Sequence, residues 1–136
     1  MPTIALVDDD RNILTSVSMA LEAECYRIMT YTDGASALDG FKTSPPDLAI
    51  LDIKMPRMDG LEVLRAIRSD PTLNRQPVVI LTSSREEKDL ITSYDLGVNA
   101  YVVKPVEFDS FISAVKQLGV FWGVINELPP VRTRQD

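Results

Sequence analysis

Five short apolar runs, each followed by a stretch with helical spacing, predict an α/β fold: a three-layer sandwich with a parallel sheet between two helical layers. Three observations carry this prediction. The β-α alternation occurs five times within 136 residues. Three of the runs are nearly continuous in apolar residues, as strands covered on both faces require. The residues just after the runs are acids, hydroxyls and a lysine, and such sheets place their sites outside the carboxyl ends of the strands.

The elements follow in order. The runs are TIALV (3–7), YRIMTY (26–31), DLAIL (47–51), PVVIL (77–81) and AYVV (100–103). Ile13, Val17, Ala20 and Leu21 recur at helix spacing, as do Ala37, Leu38 and Phe41. The next sets are Leu61, Leu64 and Ile67, then Leu90, Ile91 and Tyr94. The clearest is Phe108, Phe111, Ile112, Val115 and Leu118. Asp33-Gly34, Pro45-Pro46, Asp59-Gly60 and Asp70-Pro71 mark turns or helix starts. Gly97 stands where a helix C′ residue is wanted. Cys25 stands at the corresponding point after the first helix, where a left-handed conformation favours Gly, so a Cys costs on the order of 1 kcal/mol.

Length and composition bound the rest. The length suits one domain with a self-sufficient core. One cysteine excludes an internal disulfide and a multi-cysteine zinc site, and the absence of histidine excludes imidazole catalysis on this chain. A formal charge of −6 argues against non-specific binding to nucleic acid or to an anionic membrane. No apolar stretch reaches the roughly 20 residues that span a bilayer. The N-terminus lacks a basic region before a long apolar run, so no signal peptide and a cytoplasmic location are expected.

At the ends of the runs stand Asp8, Asp9 and Asp10, then Asp52, then Thr82, Ser83 and Ser84, then Lys104 and Pro105. A buried strand has no structural use for a carboxylate at its tip, so Asp52 calls for a chemical reason. Several carboxylates in one pocket repel one another, and a hard divalent cation relieves this. Mg²⁺ prefers oxygen ligands and often binds one or two carboxylates plus a phosphate. An acid, a metal, a lysine and a hydroxyl together make a phosphoryl-acceptor site.

At this point the chain resembles a known family. VDDD (7–10), LDIKMPRMDG (51–60), LTS (81–83) and VKPV (103–106) are similar, in order and spacing, to the receiver domain of bacterial two-component response regulators. The resemblance covers residues 3 to about 122. It implies a flavodoxin-like fold with five strands in the order 2-1-3-4-5. It implies Asp52 as acceptor of a phosphoryl group from a partner histidine kinase, so that the chain catalyses only its own phosphorylation and dephosphorylation. Asp9 would bind Mg²⁺ directly and Asp8 mainly through water, with Asp52 and the main-chain carbonyl of Lys54 as further ligands. Thr82 would bond the phosphoryl group, Lys104 would pair with Asp52, and the Lys104–Pro105 bond would be cis. Tyr101 would swing inward when Thr82 moves, switching a surface of the fourth helix, fifth strand and fifth helix. Lys54 and Ser84 occupy positions that tune phosphate lifetime.

Plainer readings stand beside these. Asp10 suits the N-cap of the first helix, and Ser83 and Ser84 suit caps of the helix beginning near Arg85. Thr82 could be a capping hydroxyl, Tyr101 plain core or surface, and Cys25 a tolerated exposed thiol. The receiver is expected over 1–122, with 123–136 a C-terminal arm. That end adds Phe121, Trp122, Val124, Ile125 and Leu128, which predicts a homodimer through the last helix and arm; the plainer alternative folds the tail back on its own domain. The second half and this extension resemble stand-alone receivers serving phytochrome-type kinases. The first sixty residues resemble receivers that carry a winged-helix domain, so a hybrid is one reading. No DNA-binding domain is expected beyond the receiver, which leaves a partner protein, phosphate relay or competition for the kinase as output. A dehalogenase-type phosphatase would carry a second Asp where Lys54 stands. A phosphorylation-independent receiver-fold scaffold would not need the intact acid set.

Overall fold

A computed structural model of the chain describes residues 2–55, 58–104, 106–107 and 109–117. Five strands and five helices alternate as expected. They are β1 (Thr3–Val7), α1 (Arg11–Ala23), β2 (Arg27–Tyr31), α2 (Gly34–Thr43), β3 (Leu48–Asp52), α3 (Gly60–Ser69), β4 (Val78–Thr82), α4 (Arg85–Ser93) and β5 (Ala100–Val103). The last helix, α5, covers residues 109–117. The strands form one parallel sheet in the order β2-β1-β3-β4-β5.

β3 and β4 are buried along their whole length, which explains their continuous apolar sequence. The sheet separates two cores. On one face, Leu14, Val17 and Leu21 of α1 and Phe111 and Val115 of α5 pack on Ile4, Leu6, Ile50 and Leu81. On the other face, Phe41 of α2, Val63, Leu64 and Ile67 of α3 and Ile91 of α4 pack on Val7, Leu51, Val78 and Ile80. The two-residue alternation of side chains along each strand sends neighbours to opposite cores, so both faces are buried.

Helix ends follow the sequence with one difference. Asp10, Asp33, Asp59 and Ser84 are N-caps, each accepting a main-chain N–H of the first turn. Cys25 adopts φ 70°. Its N–H bonds the Glu22 carbonyl and that of Tyr26 the Leu21 carbonyl, the paired bonds of a Schellman ending. The expectation for Gly97 needs correction. α4 ends at Ser93, and Asp95, with φ 53°, is the left-handed residue after its C-cap Tyr94. Gly97 keeps a positive φ of 68°, but in the loop that leads into β5. α4 also buries less than its spacing suggests: Ile91 is buried, whereas Leu90 is 55% and Tyr94 42% exposed. The cis Lys104–Pro105 bond, Phe108 and Leu118, and the apolar arm from Phe121 to Leu128 lie outside the described residues.

Candidate phosphoryl-acceptor site

The parallel topology brings the carboxyl ends of β1, β3, β4 and β5 to one rim. β1 continues into Asp8, whose N–H bonds the Tyr31 carbonyl at 3.1 Å and so keeps the β1–β2 ladder running one residue further. Asp52 is the last residue of β3, opposite Leu81. Lys104 follows β5, and its N–H bonds the Thr82 carbonyl at 2.7 Å. Ladder geometry thus fixes the main chain beneath each of these side chains.

The sequence-derived set converges. One carboxylate oxygen from each of Asp8, Asp9 and Asp52 lies within 4.8 Å of the other two. The Lys104 ammonium bridges two of these acids, at 3.1 Å from Asp8 Oδ2 and 3.1 Å from Asp52 Oδ1. Asp8 Oδ1 accepts the Asp10 N–H at 2.9 Å, which ties the cluster to the start of α1. Asp8 and Asp52 are buried, and Asp9 is exposed at the mouth.

Three carboxylates facing one ammonium leave excess negative charge in a poorly solvated place. Burial, reinforced by the charge of Asp8, pushes the Asp52 carboxyl up to about 7, against the opposing hydrogen bond from Lys104. Burial works against the charge of Lys104, but its hydrogen bonds to Asp52 and Asp8 outweigh this and hold its pKa above the ordinary value. The donors are all carboxylate oxygens, with no sulfur or imidazole among them. Such a set fits a hard divalent cation of the Mg²⁺ kind.

Thr82 is fully buried at the end of β4, and its hydroxyl has no hydrogen-bond partner among the described residues. It therefore does not cap a helix. An orphaned buried hydroxyl beside an acid cluster is a donor without an acceptor. Tyr101 is half-buried against the α3–α4 side of the sheet, with the Lys88 ammonium 5.7 Å from its ring centroid. The Ser84 hydroxyl accepts the Glu87 N–H at 3.1 Å, so it serves as the α4 cap. The Lys54 side chain is exposed and reaches Glu87 at 3.8 Å, rather than an acid of the cluster.

Two supporting residues go beyond the sequence reading, which placed Gly60 in the loop but gave it no contact with Asp52. Gly60 packs directly on the strand end: a Cβ there would overlap the Asp52 carbonyl oxygen, and its N–H bonds the Ile53 carbonyl at 3.0 Å. Glu87 accepts the Ser83 N–H at 2.7 Å, on the residue after Thr82. The spacing Ser84-x-x-Glu87 is a capping-box pattern and was available as its signal.

The family model for the response regulator receiver domain matches residues 4–116. The transcriptional regulatory protein AfsQ1 of Streptomyces coelicolor is 34% identical over 122 residues, covering 88% of this chain and 53% of its own length. The solved bacteriophytochrome response regulator RtBRR is 45% identical with a TM-score of 0.81, covering 96% of this chain and 85% of that one. The response regulator TrrA from Thermotoga maritima, solved in complex with Mg²⁺ and BeF, is 36% identical with a TM-score of 0.77, covering 87% of this chain and 99% of that one. The chain belongs to the receiver domain family of two-component response regulators, signalling domains that histidine kinases phosphorylate and that generally bind Mg²⁺. It spans about half the length of the curated relatives it matches. Among its described residues no helix is long and apolar enough to cross a membrane.

Proposed function

We propose that this chain accepts a phosphoryl group on Asp52 from a partner histidine kinase and converts it into a change of the α4-β5-α5 surface. The observation that carries this reading is the meeting of Asp8, Asp9 and Asp52 within 4.8 Å, with Lys104 3.1 Å from Asp52. A carboxylate oxygen of Asp52 attacks phosphorus. The O–P bond forms as the donor's N–P bond breaks, and the donor nitrogen keeps the electron pair. Mg²⁺, when bound, supplies charge neutralisation and electrophilic activation. Asp9 and Asp52 would hold it by side-chain oxygens, Asp8 mainly through water, and Lys54 by its carbonyl.

The chain's own groups do the remaining work. Lys104, already paired with Asp52, stays with the phosphorylated side chain and offsets its charge. The orphaned Thr82 hydroxyl gains an acceptor in a phosphoryl oxygen. Its movement changes the room available to Tyr101 on the neighbouring strand, which biases a two-state surface. Lys54, beside the acceptor loop, and Ser84, at the start of α4, adjust how long the phosphate persists. The likeness to RtBRR supports a kinase of the phytochrome type, and the formal charge of −6 supports a signalling role without nucleic acid or membrane contact by this domain. A homodimer through the last helix and arm completes the reading; sedimentation at micromolar concentration checks it, and a monomer there refutes it.

Incubation with acetyl phosphate and Mg²⁺, followed by phosphate-affinity electrophoresis, tests the central claim. The parent chain is expected to shift and Asp52→Asn to lose the shift entirely. Uptake by the Asn variant at the parent rate would overturn the assignment of Asp52.

A further inference from the structure

The start of α4 differs from the start of α3 in one hydrogen bond. At α3 the capping box is closed: Asp59 Oδ1 accepts the Glu62 N–H at 2.9 Å, and Glu62 Oε1 accepts the Asp59 N–H at 3.2 Å. At α4 the Ser84 hydroxyl accepts the Glu87 N–H. The returning carboxylate, however, takes the N–H of Ser83 at 2.7 Å, one residue nearer the strand. Ser83 directly follows Thr82, the orphaned hydroxyl of the site.

The second oxygen of Glu87 faces the other loop. Oε2 lies 3.8 Å from the Lys54 ammonium, two residues after Asp52. The Glu87 side chain is only 14% exposed, so this carboxylate is well shielded, whereas Lys54 is 71% exposed. Glu87 and Lys54 line one cavity of about 570 Å³ together with Asp9, Ile53, Met55 and Leu90. Asp9 belongs to the acid cluster, so the cavity opens from that cluster onto the Glu87–Lys54 pair.

We propose that Glu87 is a positioning residue that latches the loop after β4, through Ser83, to the loop after β3, through Lys54, and holds the domain in its resting conformation. The inference rests on the reading of Asp52 as phosphoryl acceptor. A new anion on Asp52 competes with the Glu87 carboxylate for Lys54 and repels it across the shared cavity. The latch therefore opposes phosphorylation, and its release is coupled to the movement of the loop that carries Thr82. A partly exposed ion pair and one charge-assisted hydrogen bond give a coupling at the low end of the usual range.

The test is titration of beryllofluoride, a phosphoryl mimic, in the presence of Mg²⁺, followed by tyrosine and tryptophan fluorescence. Glu87→Gln keeps a side chain able to complete a helix cap but cannot hold Lys54 by charge. It is expected to bind beryllofluoride about fivefold more tightly than the parent. Glu87→Ala, which removes both ties, is expected to tighten binding at least as much although its Tm falls. A purely structural cap would lower Tm and leave the affinity unchanged or weaker, and that result overturns the latch. A gain in Glu87→Gln that persists undiminished when Lys54→Gln is added assigns the effect to bulk charge and also overturns it. Failure of the parent chain to bind beryllofluoride at all would instead sink the acceptor reading on which the latch depends.

Discussion

Helices α3 and α4 begin at equivalent places, each one loop beyond a strand whose last residue belongs to the site, yet they are held in opposite ways. α3 buries Gly60, Val63, Leu64 and Ile67, closes its capping box and presses Gly60 onto the Asp52 main chain. α4 buries Ile91 alone, carries Glu86 and Glu87 in its first turn and leaves Leu90 and Tyr94 about half exposed. Each fully buried aliphatic side chain contributes about 1.5–3 kcal/mol, so α3 is anchored several kcal/mol more firmly than α4. Its remaining tethers are side-chain contacts: the Lys88 ammonium over Tyr101, the Arg65 guanidinium 4.6 Å from the Tyr94 ring centroid, and the Glu87 pair with Lys54. Asp52, the proposed acceptor, thus sits against the stiff helix. Thr82, the proposed responder, sits before the loose one, where a small bias would suffice to move the helix.

The largest expected effect comes from breaking the stiff side. Gly60→Val places a branched Cβ where the Asp52 carbonyl now lies, so either α3 or the acceptor strand must shift. Overpacking of this kind costs about 3 kcal/mol. The urea midpoint is expected to fall accordingly, and Mg²⁺-dependent beryllofluoride binding to weaken severely. An enlargement on the loose side, Leu90→Phe, is expected to do neither.

Arg68 at the end of α3 provides the second test, because it holds the loop that leaves α4. Its guanidinium donates to the carbonyls of Leu96 (2.7 Å), Gln76 (2.7 Å), Gly97 (3.0 Å) and Asn74 (3.2 Å). It thereby ties the loops before β4 and before β5 to the stiff helix. Burial lowers its pKa below the ordinary guanidinium value. Arg68→Met keeps the stem and removes the donors, and is expected to cost about 2 kcal/mol by denaturation. Hydrogen exchange in α4 and β5 should quicken more than in α3; uniform quickening would erase the contrast between the helices.

How far these features were legible in the sequence follows from their range. Asp8, Asp9, Asp52, Thr82 and Lys104 could be placed at one rim because each ends an apolar run, and parallel strands put all such ends on the same side. Cys25 was legible as a left-handed position because the end of α1 is a local event. Gly97 misled for the same reason: its φ is positive, but Asp95 had already ended the helix four residues short of the β5 run. Arg68 left no readable signal, since its four acceptors are main-chain carbonyls, two in the loop that follows α3 and two in the distant loop before β5. The weak burial of α4 was hidden too, because Leu90 and Tyr94 have the right spacing but stay exposed, with Tyr94 covered on one face by the Arg65 guanidinium rather than by apolar neighbours.

Proton uptake sharpens the comparison between the acid and the hydroxyl. The Asp52 carboxyl is raised from the ordinary 3.8 to about 7. Between those values the folded chain holds a proton that the unfolded chain has lost. Without metal, stability is therefore expected to fall as pH rises through that window and to level off above it. Asp52→Asn removes its share of this slope. Mg²⁺ is expected to stabilise the parent more at pH 8 than at pH 5, as thermal melts at the two pH values would read. A stability that rises with pH across the window in the parent, and does so less in Asp52→Asn, would contradict the raised acid.

The smallest expected effect has the opposite sign. Thr82 is buried with an orphaned hydroxyl, so Thr82→Val loses no hydrogen bond in the resting state and removes a desolvated polar group of almost the same shape. Such a change is expected to leave stability unchanged or raise it by about 1 kcal/mol. Its cost appears only after phosphoryl transfer, when a valine offers no donor. Beryllofluoride should still bind through Asp52, Lys104 and the acid cluster, while the change it induces in α4 and β5 exchange should shrink toward that of the free chain. A destabilised Thr82→Val would mean that the hydroxyl already has a partner at rest. The loose helix would then owe its position to Thr82 itself, and the division between a fixed acceptor and an unengaged responder would not hold.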